Sequence, residues 1–230
     1  MKRTLRHLLL LLGLATLLPH AASARTIIWG SAVGDTLIDS TGAPLDGGFT
    51  FELGTFGSGF VPTQFNTTDW YTNWKVFDRS VTGVTWDPAL PDQFLASEAT
   101  LNTDYTSSSP FSTATFATGE RAYIWVYDSQ LSASTSEWAL ISGSATGPAT
   151  DTAWFIPTPT TSHDPDTLDW RFDTSSSLIY GGLNNAQGPG EYTFAPGAFV
   201  IQTHAAPEPG AALLCGLAFM LHLTRTRQRR

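Results

Sequence analysis

The chain has 230 residues, 42% hydrophobic and 14% charged, enough for one domain with a sizeable core but not comfortably for two. Between residues 25 and 206 five basic residues stand against 19 acids, a net charge of −14, so nucleic-acid phosphates would be repelled. The one cysteine, Cys215, lies in an apolar stretch near the C-terminus, which leaves residues 25–206 without a disulfide, a cysteine metal site or a cysteine nucleophile.

Residues 1–7 are basic, residues 8–18 are leucine-rich, and Ala22-Ser23-Ala24 follows a Pro19 break. Eleven apolar residues are too few to span a bilayer core of ~30 Å at ~1.5 Å per residue. This is the pattern of a secretory signal peptide, residues 1–24, exported through the Sec translocon and removed by signal peptidase after Ala24. The body, residues 25–206, is then extracytoplasmic.

The body opens on Thr26-Ile27-Ile28-Trp29, a β-prone run, with a second strand expected within 35–40. Thr41-Gly42-Ala43-Pro44 and Asp46-Gly47-Gly48 carry turn chemistry. Phe49, Phe51 and Leu53 alternate with Thr50 and Glu52, which predicts a half-buried strand with Glu52 on the polar face. Gly54, Gly57 and Gly59 read as a glycine-rich turn. They do not form a phosphate cradle, because Pro62 follows and no lysine is near.

Trp70, Trp74 and Phe77 recur at helical spacing after Thr68, a residue suited to an N-cap, and predict one short helix over 69–78. The same aromatics have a second reading: Trp70, Tyr71 and Trp74 are candidate glycan contacts if their rings are exposed. Farther on, Trp86-Asp87-Pro88 reads as a turn, 94–101 as a strand and 103–118 as a loop with a short edge strand. Arg121-Ala122-Tyr123-Ile124-Trp125-Val126-Tyr127 predicts a central strand buried on both faces. Strands are also expected at 137–142, 153–156, 168–172, 192–194 and 199–203, and turns at Gly181-Gly182 and Gly188-Pro189-Gly190. Short strands, regular turn signals and one helix point to an all-β domain, an antiparallel β-sandwich of jelly-roll-like form.

Chemistry-bearing motifs are sparse. No H-E-x-x-H or G-x-S-x-G occurs. His163 and His204 are the histidines of the body, and His204 reads as part of a linker. His163, Asp164, Asp166 and Asp169 form a polar cluster whose oxygens suit calcium, but Pro165 splits it and the glycine of a calcium loop is absent. A solvated loop is the simpler reading. Glu52, Glu98, Glu120, Glu137 and Glu191 are the glutamates from which a glycosidase would draw its pair, and spacing along the chain brings no two together. We therefore assign no catalytic residue, no cofactor and no metal ligand from the sequence.

The C-terminus is more informative. Pro207-Glu208-Pro209 precedes residues 210–223, almost wholly apolar, and then Arg225, Arg227, Arg229 and Arg230. Fourteen residues span about 21 Å as a helix, short of a ~30 Å core, and the arginines hold the tail in the cytoplasm. Motif, apolar helix and arginine-rich end together resemble the PEP-CTERM sorting signal of Gram-negative bacteria, over the last 24 residues only. The resemblance implies recognition of Pro207, Glu208 and Pro209 by an exosortase, a transient stay in the inner membrane, cleavage near the motif, and delivery to the cell surface or an exopolysaccharide matrix. It transfers no activity to the body. Three readings follow: a non-enzymatic surface or matrix protein, a carbohydrate-binding module, and a secreted hydrolase.

Overall fold

The computed structural model describes residues 24–89, 93–131, 133, 135–159 and 167–206. Most of the signal peptide, His163 with Asp164 and Asp166, and the whole of 207–230 lie outside the described residues. Within them the chain is all-β. The strands are β1 Arg25–Gly30, β2 Leu37–Ile38, β3 Thr50–Phe56, β4 Trp74–Arg79, β5 Trp86–Asp87, β6 Phe94–Leu101 and β7 Ala122–Tyr127, followed by β8 Glu137–Ser142, β9 Leu168–Arg171, β10 Ser177–Tyr180, β11 Gly182–Leu183, β12 Ala186–Gln187, β13 Ile201–Gln202 and β14 His204–Ala205.

The largest sheet runs β10-β8-β7-β3-β4, with β14 also paired to β8. Its pairings are antiparallel, and β7 sits between β3 and β8 with Leu53 opposite Ile124 and Ile124 opposite Ile141. This register puts Phe51, Leu53, Ile124, Val126, Ala139 and Ile141 on one face. Phe56, Tyr123, Trp125, Tyr127, Trp138 and Leu140 fall on the other. Both sets are buried, so β7 is covered on both sides, as its unbroken aromatic and branched run requires. The first set meets a four-stranded sheet, β5-β6-β1-β9, which contributes Ile27, Trp29, Leu95, Leu101 and Trp170 to the same core. A small sheet, β12-β11-β13-β2, adds Leu37, Leu183 and Ile201.

One buried acid ties the two larger sheets together. Asp78 on β4 accepts from Trp29 Nε1 on β1 at 2.9 Å and from Ser97 Oγ on β6 at 2.7 Å. It points inward because of a bulge: the register passes from Leu53 opposite Asp78 to Gly54 opposite Val76, leaving Phe77 unpaired. Phe77 and Asp78, consecutive in sequence, thus both enter the interior, where Phe77 packs edge-on against Phe116.

Several sequence expectations are corrected. The helix is confined to Trp70–Asn73, after a 3-10 turn Thr67–Asp69, and residues from Trp74 onward are β4. Thr68 caps nothing; Asn66 precedes the turn, and its Oδ1 accepts from the Thr63 amide and from Trp70 Nε1. The run Trp74-Lys75-Val76-Phe77 fits a strand as well as a helix by composition, and pairing with β3 decides it. Gly54 lies inside β3 rather than in a turn, and Trp86 and Asp87 form a short strand. Gly182 opens β11. Residues 153–156 reduce to a single bridge, Arg121 to Phe155. Residues 192–194 form no strand, since the amides of Thr193 and Phe194 both donate to the Ser40 carbonyl. Two pairings, β1 with β9 and β13 with β2, are parallel, each joining strands far apart in sequence.

Replacing Asp78 with Ala leaves the Trp29 and Ser97 donors buried without an acceptor. Urea unfolding is expected to lose about 3 kcal/mol for Asp78→Ala, and less for Asp78→Asn, which keeps an acceptor oxygen.

Candidate functional site

The aromatic face of the large sheet holds the residues singled out from the sequence, and separates them. Trp70 is fully buried: its ring stacks on Trp138 at 5.6 Å and meets Trp125 and Tyr180 edge-on. It offers no ring to a sugar. Trp74 is half-buried against Phe56 and Trp125. Tyr71, on the outer side of the short helix, is 54% exposed. Phe65, in the same loop, is 88% exposed and was missed. A lone phenylalanine among Thr63, Gln64 and Asn66 was the signal for it. The loop therefore anchors itself by Trp70 and presents Phe65 and Tyr71 outward.

Beneath the loop lies Glu52, expected on a solvated face and found wholly buried. Its Oε1 takes Arg79 Nε at 2.6 Å, and its Oε2 takes Trp74 Nε1 at 2.7 Å and Gln130 Nε2 at 3.0 Å. A second Arg79 nitrogen also reaches Oε1, so four donors fill the lone-pair directions of the carboxylate. Trp74 reaches Glu52 by crossing Gly54, where a Cβ would stand 2.6 Å from the indole ring; only glycine permits the approach. The Tyr127 hydroxyl is held protonated well above its usual range, first by burial and then by the charge of Glu52.

The other glutamates expected as acid–base candidates are tied differently. Glu120 accepts from Lys75 Nζ at 2.6 and 2.7 Å and from Thr55 Oγ1 at 3.0 Å. Glu137 accepts from the Ser40 amide at 3.0 Å, from the Ser40 hydroxyl, and from Thr203 Oγ1 at 2.8 Å. Glu98 and Glu191 are exposed. Asp169, the described member of the calcium candidate, pairs with Arg171 at 2.6 Å, and its amide donates to Asp151. Among the described residues no three His, Cys, Asp or Glu side chains gather as a metal site.

A cleft of about 370 Å³ lies beside the Gly57-Ser58-Gly59 turn, lined by Phe56, Phe60, Glu120, Arg121 and Tyr123. Its volume is at the low end for a small-molecule site. The Arg121 guanidinium sits 5.3 Å from the Tyr123 ring centre. A second cleft of about 470 Å³, lined by Ala149, Phe155 and Pro157, shares Thr118 and Gly119 with it. The loop 57–73 thus borders a cleft at one end and carries Phe65 and Tyr71 farther along.

His204 is not in a linker. It belongs to β14, opposite Trp138 on β8, is fully buried, and its ring lies 4.9 Å from that of Tyr192. Among the described residues neither ring nitrogen has a partner in full hydrogen-bond geometry, the Pro189 carbonyl being the acceptor nearby. The chain is pinned around it: Ala205 exchanges two backbone hydrogen bonds with Glu191, its carbonyl accepts from Tyr180 Oη at 2.7 Å, and the Ala206 amide donates to Ser136 at 2.7 Å. Sequence reasoning missed this because the strand is two residues long and its partner lies about 65 positions away in the chain.

Burial pushes the His204 pKa down, opposed in part by the Pro189 carbonyl. Its folded value is below the unfolded 6.5, so the unfolded chain binds more protons at mildly acid pH. The associated stability is complete above pH 6.5 and declines as pH falls from there towards the folded pKa, by at most about 1.4 kcal/mol per pH unit. Urea midpoints at pH 7 and pH 5 are expected to differ more in the wild type than in His204→Leu.

No protein-family model, curated protein or solved structure matches the chain.

Proposed function

We propose that this chain is an exported, non-enzymatic protein of the cell surface or exopolysaccharide matrix, sorted by an exosortase through a PEP-CTERM signal at residues 207–230. In this reading residues 25–206 are a jelly-roll-like antiparallel β-sandwich placed between a signal helix and a C-terminal hydrophobic helix. The observation that carries it is the presence in one sequence of a signal-peptide pattern at residues 1–24 and of Pro207-Glu208-Pro209, an apolar run and an arginine-rich end at residues 207–230. Strand β1 starts at Arg25, directly after the expected signal-peptidase site at Ala24, and Ala206, directly before Pro207, is the last of the described residues and is buried. A packed β body over residues 25–206 is what the two expected processing sites would leave.

The length of the terminal apolar segment supports a temporary handle. At about 21 Å it under-spans the bilayer, and its arginines keep the tail inside the cytoplasm until cleavage. The acidic body, with few lysines, suits a protein that stays soluble among anionic polymers. Glu52, Glu120 and Glu137 are each engaged by fixed donors, which supports structural roles for them.

Glu208→Ala, expressed in a host with an exosortase, is expected to accumulate as an uncleaved, membrane-retained form, read by intact mass and cell fractionation. A mature mass and surface yield equal to wild type would overturn the sorting role.

Phe65 and Tyr71 favour a second reading, a carbohydrate-binding module, because they are large rings held outward on an anchored loop. Affinity electrophoresis through gels of matrix polysaccharide is expected to retard the wild type, and Tyr71→Ala is expected to weaken binding roughly fivefold, about 1 kcal/mol. Unretarded migration of the wild type in every polysaccharide removes this reading.

A further inference from the structure

The end of the body that holds Ala206 carries an exposed apolar rim. Ala206 donates to the Ser136 carbonyl, and the Ser136 hydroxyl donates to the Leu131 carbonyl at 2.7 Å, so Leu131 stands two hydrogen bonds from the exit. Its side chain is 68% exposed. On the other side Tyr192 packs on His204 and is 46% exposed, and Phe194, tied through its amide to Ser40, is 58% exposed. Ser40 in turn hydrogen-bonds Glu137, the first residue of β8. All three apolar side chains are thus linked to the start of β8, where β14 pairs and the described residues end.

The distance to the apolar segment is short. From Ala206 to Gly210 there are four residue steps, at most about 14 Å of extended chain, and about 12 Å if the two prolines hold it in polyproline form. The headgroup layer on each side of the hydrocarbon core is about 5–7 Å thick. A body tethered so closely brings this end to the level of the headgroups, where tyrosine and other amphipathic rings are favoured.

We propose that the rim formed by Leu131, Tyr192 and Phe194 is a membrane-contact surface that seats the body on the bilayer interface while residues 210–223 remain inserted. The inference rests on the reading of 207–230 as a membrane-held sorting signal. The exposed acids nearby, Asp128 and Glu191, make a zwitterionic lipid surface the fitting partner rather than an anionic one. Contact through three side chains is weak by itself and depends on the tether, so the surface releases the body once cleavage removes the apolar segment.

The test uses the chain from residue 25 to residue 230 carrying Cys215→Ser, with an environment-sensitive fluorophore at Leu131→Cys or, as the control beyond the opposite end of β8, at Thr146→Cys. Each is reconstituted in phosphatidylcholine vesicles containing a headgroup-nitroxide lipid. The expected result is flotation of both proteins with the vesicles, with emission at position 131 blue-shifted and quenched several-fold more than at 146. Tyr192→Ser with Phe194→Ser is expected to lose most of that difference. Flotation with equal quenching at the two positions overturns the surface and leaves the anchor standing, as does undiminished quenching in the double variant. Contact that appears only when an exosortase is added also overturns it, in favour of the enzyme as partner. Failure to float overturns the anchor reading, and the membrane surface with it.

Discussion

Strand β7 is sealed on both faces, and the rest of the fold answers to that fact. A sheet buried twice has no solvated side on which polar groups can be left, so each polar atom near it must find a partner inside the protein. Ile124 and Val126 face the sheet formed by β5, β6, β1 and β9, while Tyr123, Trp125 and Tyr127 face the loop that ends in the short helix. Trp125 touches four aromatic rings at 5.1 to 5.8 Å, those of Trp70, Trp74, Tyr127 and Trp138. Their mutual contact is the reason that loop lies where it does.

The buried acids follow from the same constraint. Asp78 is answered by Trp29 and Ser97 and Glu52 by Arg79, Trp74 and Gln130, and the half-buried Glu137 is likewise answered by Ser40 and Thr203. Each joins segments far apart in the chain, so each fixes the placement of one element on another. Such groups add less to net stability than to uniqueness, because removing one partner strands the other in a low-dielectric interior. The ends of the body show the same economy of polar groups: β14 is only two residues long, yet backbone pairing with Glu191 and Trp138 and the hydroxyl of Tyr180 hold it in place.

Much of the sheet was legible from local pattern. Phe94–Leu101 and Glu137–Ser142 form strands over the expected residues, and β7 falls within the expected run. Glu52 was read on the wrong side of the water line because alternation reports that two faces differ, and a second cover over the polar face leaves no mark on the strand itself. The helix over 69–78 was overextended because Trp70, Trp74 and Phe77 satisfy a helical period by coincidence. Trp70 and Trp74 reach one cluster through a helix and then a strand, and alternation along β4 puts Phe77, three residues after Trp74, on the opposite face. Of the candidate glycan contacts, only Tyr71 is mostly in solvent, while the exposure of Phe65 was signalled only by its polar neighbours Thr63, Gln64 and Asn66.

The sequence by itself determined the class of fold, the strands with strong alternation or unbroken apolar runs, and the basic, apolar and proline signatures at the two ends. Each of these is written in neighbouring residues, so no folding is needed to read it. Only the tertiary structure decided that Glu52 is buried, that Trp70 is a core residue, that β1 and β9 run parallel, and that His204 is buried in β14, two positions before Ala206. Those facts depend on which distant segment covers each face. Burial and pairing are properties of two segments together, and neither segment carries them alone.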